Sequence, residues 1–234
     1  MTGDHAWSDG VHSLHRARFA RDTGRFTLGA EVARVNRIRR RDGLPISEHI
    51  ARVAAELFYQ RGINVVGVDL IADRAEVSKR TVYRHFATKD ELIAASLVHG
   101  PFIGFPKGGT PRDRLLGAFD ALIRFVADPT YRGCPYINAA AELTSPKHPA
   151  RVIVQERTER RRRWFKRRLD EMRLDDTELL AEELDVLFDG ALANATKRQT
   201  PTPAVAARAA VEVLIARATD ASAELRSLAQ AVPG

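Results

Sequence analysis

The sequence predicts an all-α protein, and three observations carry that prediction. Apolar residues recur at i, i+3, i+4 and i+7 in several separate segments, no segment alternates convincingly between apolar and polar residues, and Gly and Pro gather where the periodic segments stop. At 234 residues the chain can hold one large domain, or a small one joined to a medium one. Its 44% hydrophobic and 29% charged residues are those of a folded, water-soluble protein. No stretch approaches the ~18 consecutive apolar residues of a membrane span, and the first thirty residues lack the apolar run of a secretory signal, so the cytoplasm is the expected location. The single cysteine, Cys134, excludes an internal disulfide and a thiolate metal cage, and no metal or cofactor is expected.

Residues 1–45 mix His, Arg, Gly and Asp without a sustained period and are expected to form a loose basic arm, with nine arginines against five acids. The arm ends in Arg37, Arg39, Arg40 and Arg41, which suit either a solvated tail or a segment that tracks phosphates; a mis-assigned start codon is a third explanation. From Ser47 the pattern becomes helical. Ile50, Val53, Ala54, Leu57 and Phe58 share one face, and Gly62 stops the helix. A second helix over about Val68 to Ala75 turns Val68, Ile71, Ala72 and Ala75 inward, with Asp69 placed favourably in its first turn. Ser78 is the expected N-cap of a third, Lys79 to Phe86, which buries Val82 and Phe86. Thr88 with Glu91 has the capping-box form and opens a fourth, ended near His99 by Gly100 and Pro101.

Two short helices joined by a tight turn and backed by a longer amphipathic one make a helix-turn-helix unit, whose second helix fits a DNA major groove. Its outward residues are then Ser78, Lys79, Arg80, Thr81, Tyr83, Arg84 and His85, nearly all hydrogen-bond donors. The whole chain carries +7, yet residues 46–100 hold seven cations against seven acids, so a DNA surface there must come from placement rather than bulk charge. The acids Glu48, Glu56, Asp69, Asp73, Asp90 and Glu91 all fall outside the third helix.

The run from Ile50 to Leu92 resembles the N-terminal domain of the TetR family of transcriptional regulators, through Ala55, Leu57, Phe58, Gly62, Ile71, Ala72, Val77, Ser78, Tyr83, His85, Phe86, Lys89, Glu91 and Leu92. The resemblance implies a homodimer that presents each subunit's third helix to half of a near-palindromic operator in double-stranded DNA. It implies phosphate contacts from Tyr83 and Lys89 and base reading at or beside Lys79, Arg80, Thr81 and Arg84. The chain departs from the family pattern at Gly67 and Val68, where capping threonines are usual, at Asp69, where a base-contacting residue can stand, and at Glu76, the usual glycine of the turn. A positive φ at Glu76 would be costly.

Residues 101–110 read as the linker between a DNA-binding domain over 46–100 and a C-terminal helical ligand-binding and dimerisation domain over 101–219, with 220–234 as a tail. Helical spacing marks 112–127 (Leu115, Leu116, Phe119, Leu122, Ile123, Val126) and 178–195 (Leu180, Leu184, Leu187, Phe188, Ala191, Leu192). Thr202 and Pro203 are the expected cap and first residue of a last helix, with Val205, Ala206, Ala209, Val213 and Leu214 inward. The last two helices are rich in Ala and Leu and suit a four-helix dimer interface; packing within one subunit is the alternative. The stretch Arg132 to Glu142, with His148 and Pro149, also resembles the ligand domain of a TetR subgroup.

Phe102, Phe105, Phe119, Phe125, Tyr136, Trp164 and Phe165 suit either a core or an effector pocket, and no ligand-binding residue is assigned. Cys134 is expected to be an inert packed thiol, a redox sensor being the lesser alternative. The cations Arg160 to Arg163, Lys166, Arg167 and Arg168 are expected to spread over a solvated face, an anionic effector being the other use for them. His12 and His15 are a weak metal pair. The histidines show no HExxH spacing, and GxSxG and P-loop motifs are missing, so an enzyme is disfavoured. The expected function is a ligand-responsive, sequence-specific transcriptional regulator, by preference a repressor released by a small molecule; the alternative is an architectural DNA-binding protein.

Overall fold

The computed structural model describes residues 43–231, and they divide into two compact units, the boundary falling between Gly100 and Pro101. The arm over 1–45, with its arginine cluster and the His12 and His15 pair, lies outside the described residues up to position 42.

In the first unit, helix α1 (Ile46–Arg61) buries Ile50, Ala51, Ala54, Ala55, Leu57 and Phe58. Ala51 and Ala55 are buried and Val53 is only half-buried, so the inward face is turned slightly from the expected one, toward the small residues that let neighbouring helices approach. Gly62 takes φ 92° and its N–H closes the helix on the Phe58 carbonyl. Helix α2 (Val68–Arg74) starts at Gly67 without a side-chain cap. It ends as a Schellman closure: the Val77 N–H reaches the Ala72 carbonyl at 3.0 Å and the Glu76 N–H reaches Asp73 at 3.1 Å. That motif demands a left-handed residue after the helix, and Glu76 accordingly takes φ 54°. The glycine substitution read from the sequence is therefore tolerated, not avoided by remodelling.

Helix α3 (Lys79–His85) is capped by Ser78, whose Oγ accepts the Thr81 N–H at 3.1 Å. Helix α4 (Lys89–Leu97) is capped by Thr88. Its Glu91 carboxylate accepts the N–H of Ala87 at 2.8 Å, one residue ahead of the usual capping-box partner. The His49 ring bonds to the Ala75 carbonyl at 3.2 Å, tying α1 to the end of α2.

One expectation for α3 is corrected. His85, assigned to the outward face, is 8% exposed, and Phe86 beyond the helix end is half-buried. The reason is angular: His85 stands three residues after Val82, so both fall on the packed side. Neither ring nitrogen of His85 has a hydrogen-bond partner, and burial, with the Arg84 charge, holds its pKa below the ordinary histidine value of 6.5.

In the second unit, Thr110 and Asp113 form a reciprocal capping box at the head of α5 (Pro111–Val126). The chain before it runs so close that a Cβ on Gly117 would lie 2.8 Å from Pro106. Then follow α6 (Pro135–Glu142), α7 (Pro149–Glu171), α8 (Thr177–Arg198) and α9 (Thr202–Ala231). Phe119, Phe165 and Phe188 meet at centroid distances of 5.4 to 6.0 Å in the centre of the unit, flanked by Phe105 and Trp164. Of the aromatic residues expected in core or pocket, Phe105, Phe119 and Phe165 are buried, Phe125, Tyr136 and Trp164 are half-buried, and Phe102 is exposed.

Helix α9 differs from its prediction. Ala204, Ala207, Val211 and Ile215 are buried, whereas Val205, Ala206, Ala209 and Val213 are exposed and Leu214 half-buried. The helix carries small apolar residues nearly all round, so periodicity could not choose its inner face. Thr202 is its first helical residue, the opening bonds reaching back to Pro201. The expected tail continues the helix to Ala231; Ser222 is buried and accepts the Asp175 N–H, and Arg226 donates to the Arg173 carbonyl. The cationic run of α7 is not simply solvated either. The half-buried Arg161 pairs with the buried Asp185 and with Asp189, and the half-buried Arg168 with Glu171.

Two predictions follow from these local strains. Glu76→Gly should stabilise the first unit by about 1 kcal/mol by relieving the left-handed conformation, whereas Glu76→Ala should not; thermal melts check this. Because unfolded His85 binds a proton more readily than folded His85, stability should be full above the ordinary histidine range and decline as pH falls through it. His85→Leu should flatten that decline in denaturant titrations between about pH 7.5 and 5.5.

Candidate nucleic-acid interface

Seven-residue α3 is amphipathic in the strict sense that Val82, at 1% exposure, faces inward and its opposite side is polar. Lys79 and Tyr83, and likewise Arg80 and Arg84, are spaced i, i+4, so the four form one continuous patch. All four are exposed, Tyr83 at 43%. No acid lies within α3. Ser78 is exposed and Thr81 half-buried, and their hydroxyls share a 2.9 Å bond in addition to the cap, so both serve the start of the helix. His85 does not join the patch, for the reason given above.

Two features of this face were not foreseen from the sequence. The Lys79 ammonium pairs with Asp69 of α2 at 2.9 Å, and that carboxylate holds the lysine above its usual range. Both partners are well exposed, where such a pair contributes little and exchanges readily for another anion. Asp69 nevertheless puts a negative charge beside the patch. Lys89, the first residue of α4, donates to the Ile63 carbonyl at 2.8 Å and sits 5.9 Å from the Phe58 ring. It therefore anchors the turn after α1, and its ammonium keeps two further N–H donors. A contact between elements twenty-six residues apart leaves no local pattern to detect.

Chemically, this is a surface of guanidinium, ammonium and phenol groups on a short rigid helix, the donors that phosphate oxygens and major-groove base edges accept. Among the described residues no group of three or more His, Cys, Asp or Glu side chains could hold a metal ion, and no helix is long and apolar enough to cross a membrane. In the second unit, burial pushes the Cys134 thiol up, outweighing the N–H groups of Ile137 and Tyr136 that favour its thiolate. That environment is the opposite of an activated sensor cysteine.

Residues 50–96 match the model described as bacterial regulatory proteins, tetR family, and residues 111–211 the one described as tetracyclin repressor-like, C-terminal domain. The transcriptional activator FasR of Mycolicibacterium smegmatis is 34% identical over 126 residues, which are 50% of this chain and 57% of FasR. The regulator TcmR of Streptomyces glaucescens is 35% identical over 92 residues, 37% of this chain and 41% of TcmR. The matched stretches thus span less than two thirds of either relative. A crystal structure of a TetR regulator from Streptomyces avermitilis (sav143) shares 30% identity at a TM-score of 0.67, covering 74% of this chain and 97% of that one. SCO4454 of Streptomyces coelicolor, a TetR-family regulator, gives 26% and 0.65 over the same shares. With a helix-turn-helix unit of this geometry followed by a helical second unit, the chain belongs to the TetR family of DNA-binding transcriptional regulators.

Proposed function

We propose that the protein acts as a homodimeric repressor that leaves a near-palindromic operator when a small-molecule effector binds its C-terminal unit. The observation that carries the DNA half is the exposed patch of Lys79, Arg80, Tyr83 and Arg84, held on α3 by the burial of Val82. Tyr83, with Lys89 at the head of α4, is assigned to phosphates; Lys79, Arg80 and Arg84, with Thr81 beside them, to base edges. Ser78 supports them as the cap.

The dimer is supported by apolar residues that one subunit leaves uncovered on its last two helices: Leu179 and Val186 on α8, Val205 and Val213 on α9, each at least half exposed. Small residues beside them, Gly190 on α8 and Ala209 on α9, permit close helix approach. Two such heads must match half-sites about 34 Å apart, so a modest effector-driven change in their separation is enough to weaken binding. Relatives bear both signs of regulation in their names: FasR is called an activator, and Rv3405c of Mycobacterium tuberculosis, 39% identical over 54 residues, a repressor. Removal of the protein from its host should raise transcription from the promoter it binds; a fall would make it an activator.

Binding to the DNA upstream of its own reading frame, followed by fluorescence anisotropy across a salt series, tests the reading. Operator affinity should greatly exceed random-DNA affinity; an architectural protein would keep the salt slope and lose that ratio. Arg80→Ala should cost about 1–3 kcal/mol and relax base preference, while Tyr83→Ala should weaken binding to every sequence. Asp69→Asn, which leaves Lys79 unpaired, should tighten binding to operator and random DNA alike and steepen the salt slope by up to about one. If none of these variants differs from the parent, the patch is not the DNA surface.

A further inference from the structure

The acids of α8 are almost all engaged by α7. Glu178 and Glu182 pair with Arg162, and Asp185 and Asp189 with Arg161. Glu183 is the exception: it is exposed, and its carboxylate has no ion pair or hydrogen bond among the described residues. The arginines of α9 divide in the same way. Arg208 is held by Asp120 and Glu212, and Arg226 donates to the Arg173 carbonyl, whereas Arg217 is exposed and has no such contact among the described residues. One acid on α8 and one base on α9 are thus left open.

Both stand in the uncovered apolar rows of their helices. Glu183 comes four residues after Leu179 and three before Val186, and Arg217 comes four after Val213, so each shares a helix face with exposed aliphatic side chains. A Cβ added to Gly190, four residues after Val186, would meet nothing within 4 Å, so the subunit leaves this face bare. The two helices run antiparallel: the Asp175 N–H, just ahead of α8, bonds to Ser222 late in α9, and residues 199–201 join their other ends. Counted from the Ser222 contact, Glu183 and Arg217 lie within one turn of the same height. The exposed acids Asp220 and Glu224 come later in α9, level with the start of α8 or past it. At one height, then, an apolar face carries an acid on one helix and a base on its neighbour. Such a face is self-complementary, because a copy related by a two-fold axis offers base to acid and acid to base.

We infer that Glu183 and Arg217 are the charges by which the subunit selects a second copy of itself, each pairing with the other residue type across the two-fold axis. This rests on the homodimer proposed above and adds to it a basis for choosing the like chain. In a two-fold four-helix bundle α8 stands beside the partner subunit's α9, and an axis along the bundle keeps every residue at its own height. Glu183 therefore meets Arg217 of the partner subunit, and Arg217 meets Glu183 of the partner subunit. The aliphatic rows supply attraction that any amphipathic helix pair could offer. The charges supply discrimination, since a chain lacking either one leaves the other desolvated without a partner or facing its own sign.

Sedimentation equilibrium and co-purification of differently tagged full chains test this. Glu183→Arg makes all of these interface charges positive and Arg217→Glu makes all of them negative, so each variant alone should dimerise about a hundredfold more weakly than the parent. Mixed in equal amounts, the two should form a heterodimer of parent-like affinity, because one brings only cations to the site and the other only anions. Glu183→Arg combined with Arg217→Glu in one chain should restore the homodimer. Misfolded variants could not rescue one another, so recovery on mixing ties the loss to charge. Single variants that dimerise like the parent, or a mixture that gains nothing, overturn the inference and leave the homodimer standing. A parent chain that is monomeric at concentrations where it fills its operator refutes the homodimer, and this inference with it.

Discussion

A helix of seven residues does not hold itself together in water, and everything that α3 offers to DNA depends on what holds it from behind. Val82 and His85 are driven into the unit, Ser78 ties down the first turn, and the Schellman closure at Glu76 fixes the angle at which the chain enters. Only because those groups are committed do Lys79, Arg80, Tyr83 and Arg84 all project together. The left-handed Glu76 and the buried, unpartnered His85 show that the unit accepts local strain to keep this presentation.

The second unit solves a different problem. Its centre is a cluster of phenylalanines, but the helix that crosses it, α7, is among the most cationic segments of the chain. Arg161, Arg162, Lys166 and Arg168 are made compatible with a helical bundle by carboxylates on α7 and α8 and by aromatic faces. Of these, Arg161 with Asp185 is the pair held in the interior, where an ion pair stabilises less than an apolar contact of equal size.

Much of the first unit was legible because capping, turn and periodicity signals agree there. Ser78 and Thr88 cap where their residue types say they should, and Gly62 ends α1 with positive φ. A polar residue type suggests an outward side chain, but the position of His85 three residues after Val82 turns it inward. On α9 the polar contrast that normally marks the outer face is missing, and the face expected inside is the one left open. The pairing of Lys79 with Asp69, and of Arg161 with two aspartates, joins separate helices and has no one-dimensional signature.

By itself, then, the order of residues determined which segments are helical, where most of them stop and which short helix carries the outward donors, because those properties arise from neighbours three or four positions apart. Tertiary structure alone decided which face of an all-round apolar helix is covered and which charges meet. Those outcomes depend on distances between segments far apart in the chain, and burial of one side chain is always settled by what packs against it.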